Sequence, residues 1–262
     1  FYARGRSFPE GMWDQVLGAL KEIEKRTGKK FGDPNNPLLV SVRSGAKFSM
    51  PGMMDTVLNL GLNDETVKGM IRLAGDARFA YDIYRRFIQM FGRVVLGIDG
   101  DKFEHILQAQ KDRRGVKLDT ELDANDLKKI VAEFKKIFKK YAKREFPQDP
   151  KEQLILARNA VFNSWWSPKA TYYRKMEKIS DRLGTACNIQ AMVFGNMGDT
   201  SCTGVGFTRD PGTGEKVFYG EFLVNAQGED VVAGIRTPQP ISELKNWNPA
   251  VYDQLVEITS ML

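Results

Sequence analysis

Three long amphipathic stripes follow one another between Asp64 and Trp166, dividing the chain into a helical middle and two β-containing flanks. The first stripe is Phe79, Ala80, Ile83, Tyr84, Phe87, Ile88, Phe91, Val94 and Val95, apolar at the three-and-four spacing of one helix face. Asp123 is placed to cap a second helix whose stripe is Leu127, Ile130, Val131, Phe134, Ile137, Phe138 and Tyr141, and Pro147 stops it. Asp149, Pro150 and Glu152 form a cap, a first-turn proline and an acid at the third position. They open a third helix carrying Leu154, Ala157, Val161, Phe162 and Trp165. Three such helices can bury their stripes against one another as a small bundle. The expectation is an α+β chain in three parts: residues 1–63, a helical insert at 64–166, and residues 167–262.

The first flank predicts a helix over residues 9–26, with Pro9 at its first position and Gly28 at its end. Met12, Val16, Leu17, Leu20 and Ile23 recur on one side of it. Leu38–Val42 then reads as a short strand running straight into Arg43, Ser44 and Gly45. A guanidinium keeps its charge, so at a strand end it meets either a carboxylate or a phosphate. Met50 to Asp64, with three methionines and a Pro-Gly turn, reads as an ordered loop and short strand lying over a site.

In the last flank, residues 171–181 predict a short helix and Pro249–Leu262 another. Between them, three strands are expected at Ile189–Phe194, Thr203–Thr208 and Val217–Val224, joined as an antiparallel meander. The first connection holds Gly195, Asn196, Gly198, Asp199, Thr200 and Ser201. Loops of this composition offer backbone N–H groups and hydroxyls to an anion, and they also make ordinary hairpins. No G-x-x-x-x-G-K-[ST] string is present.

Composition excludes several classes. Of 262 residues 42% are apolar, enough for a packed core. No run approaches the length of a membrane span, and nothing resembles a signal peptide, so the protein is not expected to be secreted. One histidine and two cysteines cannot build the usual zinc site, and His105, in a helical context, has no triad partners in view. The net charge of +6 is concentrated: eight basic residues lie between Lys128 and Arg144, against the single acid Glu133. A solvated helix face is the default for such a run, and nucleic acid is not the expected partner. A start at Phe1 leads to the expectation of a piece of a longer protein.

Four strings carry a resemblance: SVRSGAKFSMPGMMDTVLNLGLND (41–64), FAYDIYRRFIQMFG (79–92), NIQAMVFGNMGDTS (188–201) and GEFLVNAQGEDVVAGIRTPQPI (220–241). They closely resemble the N-terminal nucleotide-binding domain of the pyruvate, phosphate dikinase family. The related pyruvate, water dikinases (phosphoenolpyruvate synthases) and glucan, water dikinases are alternatives, as is a non-catalytic module using the basic helix. The resemblance implies an ATP-grasp fold with a helical insert subdomain, truncated here at both ends. It implies ATP with Mg2+ and transfer of a pyrophosphoryl group to a histidine on a separate domain, with phosphate and pyruvate as the further substrates. A phosphohistidine domain and a pyruvate-binding domain of the same longer chain are implied partners, in a homodimer of cytoplasmic or organellar location, plastid or glycosome included.

Carried over residue by residue, Arg43 matches the family's phosphate-contacting arginine. Gln190, Met192 and Val193 match the strand that passes the adenine. Thr200, Ser201, Thr203 and Gly204 match the loop over the phosphates, and Glu229 matches an acid near the nucleoside. An acid after a Gln-Gly turn can equally be solvated. Cys202 departs from the family's glycine in T-S-G-T-G, where a side chain either weakens ATP binding or is tolerated in β conformation. The family's G-G-K-G segment is expected before Phe1, and its metal-binding acids and second arginine after Leu262. No metal ligand is nameable in this chain.

Overall fold

A computed structural model describes residues 1–232 and 236–262, with Val232 described by its backbone alone. They form two compact units, Phe1–Met192 and Val193–Leu262. The chain is of mixed α+β type. Among the described residues no helix is long and apolar enough to cross a membrane.

The first unit opens with α1 (Met12–Thr27), followed by β1 (Lys30–Phe31), β2 (Pro37–Leu38), β3 (Val40–Gly45) and β4 (Thr56–Leu60). Helix α1 starts three residues after Pro9, because Gly11 at its N-cap is in the left-handed conformation; Gly28 ends it in the same conformation. The single strand expected at Leu38–Val42 is two: β2 pairs with β1, and β3 begins at Val40. Then come α2 (Thr66–Ala74), α3 (Ala77–Leu96), α4 (Asp101–Arg114), α5 (Ala124–Ala142), α6 (Pro150–Ser164), α7 (Pro168–Met176) and β5 (Ala186–Ala191).

The amphipathic stripes bury as expected. Helices α3 and α5 pack together, with Phe79, Ile83, Phe87 and Phe91 of one and Leu127, Ile130, Phe134 and Phe138 of the other all buried. Tyr141 is the exception, exposed at the end of α5. Phe146, in the connection after α5, fills the centre: its ring lies 5.2 to 6.3 Å from those of Tyr84, Phe87, Phe91 and Phe138. Asp123 and Asp149 cap α5 and α6 by accepting from backbone N–H groups of the first turn. Helix α7 begins at Pro168, capped by Ser167, three residues ahead of the expected start.

The sheet overturns one sequence expectation. β5 covers residues 186–191 and not 189–194, and it does not join a meander with the strands that follow. It pairs antiparallel with β3, giving the order β4-β3-β5 in the first unit. Short apolar strands separated by turns look alike whether they pair with a neighbour or with a distant strand, so local pattern misassigned the partner.

The second unit contains β6 (Cys202–Phe207), β7 (Tyr219–Val224), the short α8 (Gly228–Val232), β8 (Gln239–Pro240), α9 (Leu244–Trp247) and α10 (Pro249–Met261). β6 and β7 form a hairpin in register from Cys202–Val224 to Phe207–Tyr219, and β8 adds to the other edge of β7. The expected turn is present: Asp210 accepts from the N–H of Gly212 at 2.7 Å and of Thr213 at 3.2 Å. The core is Phe222, Ile241 and Leu244, with Cys202, Phe218, Trp247 and Leu255 packed against it.

Candidate functional site

Arg43 lies near the end of β3, the central strand of its sheet, opposite Asn188 on one side and Thr56 on the other. Side chains alternate across a strand, so Val40 and Val42, both fully buried, point into the core and Arg43 points away, exposed. Among the described residues no carboxylate lies within ion-pair distance of its guanidinium and no hydrogen bond holds the side chain. The carboxylate partner allowed for at the strand end is therefore not found among them. Asn188 stands over Gly45, its Nδ2 2.7 Å from the point a Cβ there would occupy, so only glycine leaves that side chain its place beside Arg43. Gln190 lies opposite Ser41 on the same face as Arg43 and Asn188.

The backbone of β5 divides by parity. Met192 N–H donates to the Leu39 carbonyl at 2.9 Å, so the narrow pairs of the ladder are Met192–Leu39, Gln190–Ser41 and Asn188–Arg43. The main-chain groups of Met192 and Gln190 are thus turned toward β3. Those of Ala191, Ile189 and Cys187 face the edge of the sheet that pairs with no further strand among the described residues.

Val193, Thr200, Ser201, Thr203, Gly204 and Glu229 belong to the second unit. Val193 is 89% exposed. The connection Gly195–Ser201 is fastened to the end of β7: Ala226 N–H donates to Gly195 O at 2.9 Å and Asn225 N–H to Ser201 O at 2.8 Å. A Cβ at Gly195 would come within 2.6 Å of the Ala226 and Cys202 carbonyls, which explains glycine there. Thr200 is exposed on this connection, and Thr203 and Gly204 lie on β6 opposite Leu223 and Phe222. Thr203 Oγ1 stands 3.9 Å from where a Cβ on Gly228 would be, bringing it beside the first turn of α8, which carries half-buried Glu229. The structure thus gathers the loop residues and Glu229 around one corner, and Arg43 and Gln190 on one sheet face.

Cys202 has an ordinary strand conformation, absent from the positive-φ positions of the described residues, and its side chain packs on the Phe222 cluster. The strand therefore accommodates a side chain at this position.

Sequence reasoning missed Asn188, Asn225 and Gln227. Asn225 adopts φ 50°, a left-handed conformation that asparagine tolerates, between a strand and a helix. The N-A-Q-G string after a β run was the available signal. Arg236 clamps the same corner, donating to Asn225 O at 2.9 Å and Val224 O at 3.0 Å.

Among the described residues no group of three or more His, Cys, Asp or Glu side chains stands together as a metal site would require. In the basic run, Lys135, Lys136, Lys139 and Arg144 are ion-paired with Asp64, Glu133, Glu145 and Glu152.

The sequence is 57% identical to pyruvate, phosphate dikinase 1, chloroplastic, of Arabidopsis thaliana over 98% of this chain and 27% of that protein. Identity is 58% with pyruvate, phosphate dikinase of Giardia intestinalis and 54% with that of Clostridium symbiosum, each over 100% of this chain and 30% of the relative. The chain thus spans less than a third of the length of these curated relatives. Residues 4–258 match the family described as pyruvate phosphate dikinase, AMP/ATP-binding domain. With that match over nearly its whole length, the chain belongs to the pyruvate phosphate dikinase AMP/ATP-binding domain family.

Proposed function

We propose that this chain is the ATP-binding part of a pyruvate, phosphate dikinase. The observation that carries the reading is Arg43: an exposed guanidinium at a buried strand end, with no carboxylate partner among the described residues and polar Asn188 and Gln190 on its face. A fixed cation so placed is suited to the terminal phosphates of ATP, where catalysis comes from positioning and charge neutralisation. In this reading the fold is ATP-grasp, with residues 64–166 as its inserted subdomain between the lobes 1–63 and 167–262.

A histidine nitrogen of a separate domain attacks the β-phosphorus of ATP, the bond to the α-phosphoryl oxygen breaks, and AMP leaves. Inorganic phosphate then takes the terminal phosphoryl group as pyrophosphate, and the remaining phosphohistidine phosphorylates the enolate of pyruvate. The main-chain groups at the outer edge of β5 read the adenine edge, and Gln190 lies on the same strand. Thr200, Ser201, Thr203 and Gly204 cover the phosphates, and Glu229 accepts from ribose hydroxyls. Mg2+ accompanies the nucleotide and would neutralise phosphate charge, but the described residues offer no ligand cluster for it, and no step is assigned to it here. Homodimerisation and a cytoplasmic or organellar location belong to the same reading.

Arg43→Ala in the intact protein tests it. AMP formation from ATP should fall by at least about a hundredfold; unchanged turnover would remove Arg43 from the site. Dependence of the wild-type reaction on inorganic phosphate separates this reading from a water dikinase.

A further inference from the structure

Gln227 lies at the corner between β7 and α8 and is buried, at 6% exposure. Its main chain is engaged locally: its N–H donates to Asp230 Oδ2 at 2.9 Å, and its carbonyl accepts from Asp230 N–H at 2.9 Å. Its side chain turns the other way, Nε2 donating to Asn196 Oδ1 at 3.4 Å in the glycine-rich connection. The opposite atom, Oε1, is buried with no hydrogen-bond partner among the described residues.

Two facts make this more than a packing detail. The corner is held from several directions: the left-handed Asn225, the Arg236 clamp, and backbone bonds from Asn225 and Ala226 to Ser201 and Gly195. A carboxamide in so fixed a place has little freedom to find another partner. A buried acceptor without a donor is unfavourable, and a donor arriving from outside would recover that loss.

We propose that Gln227 is a positioning residue for the nucleotide. Its Nε2 holds the Gly195–Ser201 connection in register at Asn196, and its Oε1 accepts a hydrogen bond from a donor that arrives with bound ATP. The inference rests on the nucleotide-binding reading above. It places one side chain between the loop that covers the phosphates and the turn that carries Glu229.

The test is steady-state AMP formation and calorimetric ATP binding by the intact protein and its Gln227→Met, Asn196→Ala and double variants. KM for ATP should rise about tenfold in Gln227→Met and about threefold in Asn196→Ala, with kcat changed less than KM. The double variant should be no weaker than Gln227→Met, because both changes act through one contact. An unchanged KM in Gln227→Met, additive losses, or a loss confined to the melting temperature would overturn the role. If Gln227→Met fails to fold, Asn196→Ala decides, since it removes the same contact from the loop side, and a wild-type KM there would overturn the role. Failure of the wild-type protein itself to bind ATP would instead overturn the nucleotide reading.

Discussion

Arg43 and Asn188 stand directly opposite each other across the β3–β5 pair, and the side chain of Asn188 is laid over Gly45. The arginine therefore has a polar neighbour and an open face but no ion pair among the described residues. Removing it should cost the fold little. Arg43→Ala is expected to change unfolding free energy by no more than about 0.5 kcal/mol in urea titrations, as for an ordinary surface site. A loss of several kcal/mol would mean that Arg43 is structural.

Asp82 is buried in α3 between two arginines, Oδ1 at 2.8 Å from Arg85 Nε and Oδ2 at 3.0 Å from Arg86 Nε. Burial pushes its pKa up, but the guanidiniums beside it prevail and hold it down at about 2. A folded-state pKa below the unfolded value gives stability that is present above about pH 4 and lost as pH falls through about 2. Asp82→Asn should destabilise by about 1.5–3 kcal/mol, since it removes the buried charge both arginines bond to while Arg85 keeps Asp119. It should also flatten the acid side of the stability profile. Thermal melts of both proteins from neutral to strongly acid pH give the comparison, and parallel profiles would argue against the linkage.

The Cys187 thiol is pushed up to about 11 by burial, with the Arg158 charge only partly opposing. Thiolate is the nucleophile, so Cys187 should alkylate far more slowly than a free thiol at neutral pH in the native protein, and at the ordinary rate after unfolding. Peptide mapping after timed iodoacetamide treatment measures this, and fast native labelling would contradict it.

Cys202→Gly introduces the glycine that the family resemblance leads one to expect, but withdraws a side chain from the Phe222–Leu244 cluster. It also adds backbone freedom in β6. A loss of roughly 1–2 kcal/mol is expected in denaturant unfolding, with ATP affinity unchanged. A gain in affinity would show that Cys202 hinders the phosphate loop.

What was legible in the sequence followed one physical rule. The stripes of α3, α5 and α6 repeat within a few residues, and the caps Asp123 and Asp149 lie next to what they cap. The pairing of β5 with β3 has no such local trace, since Ser41 and Gln190 are 149 positions apart. The same holds for Phe146, a lone aromatic between helices that completes a core built by four others. Nor does the stripe single out Asp82, whose partner Arg85 is itself buried and linked onward to Asp119 at 2.8 Å. At the candidate site, Arg43 and the glycine-rich loop announced themselves by composition. Gln227 did not, since a burial-dependent hydrogen bond is invisible until the corner around it has formed.

The long separation between β3 and β5 also sets an order of assembly. The β3–β4 hairpin and helices α2 to α6 can form from consecutive stretches, but the third strand reaches the sheet only after the whole helical block has been synthesised. Until then β3 presents a bare edge, with Ser41 and Arg43 unpaired on the side that β5 will cover. Closing so wide a loop is slow when its interior is disordered and easier once the interior has collapsed into helices. Refolding should therefore show helical circular dichroism before amide protection at Ser41 and Arg43, the β3 positions that bond to β5. The helical block would then act as a built-in spacer, bringing the ends of the nascent sheet within reach.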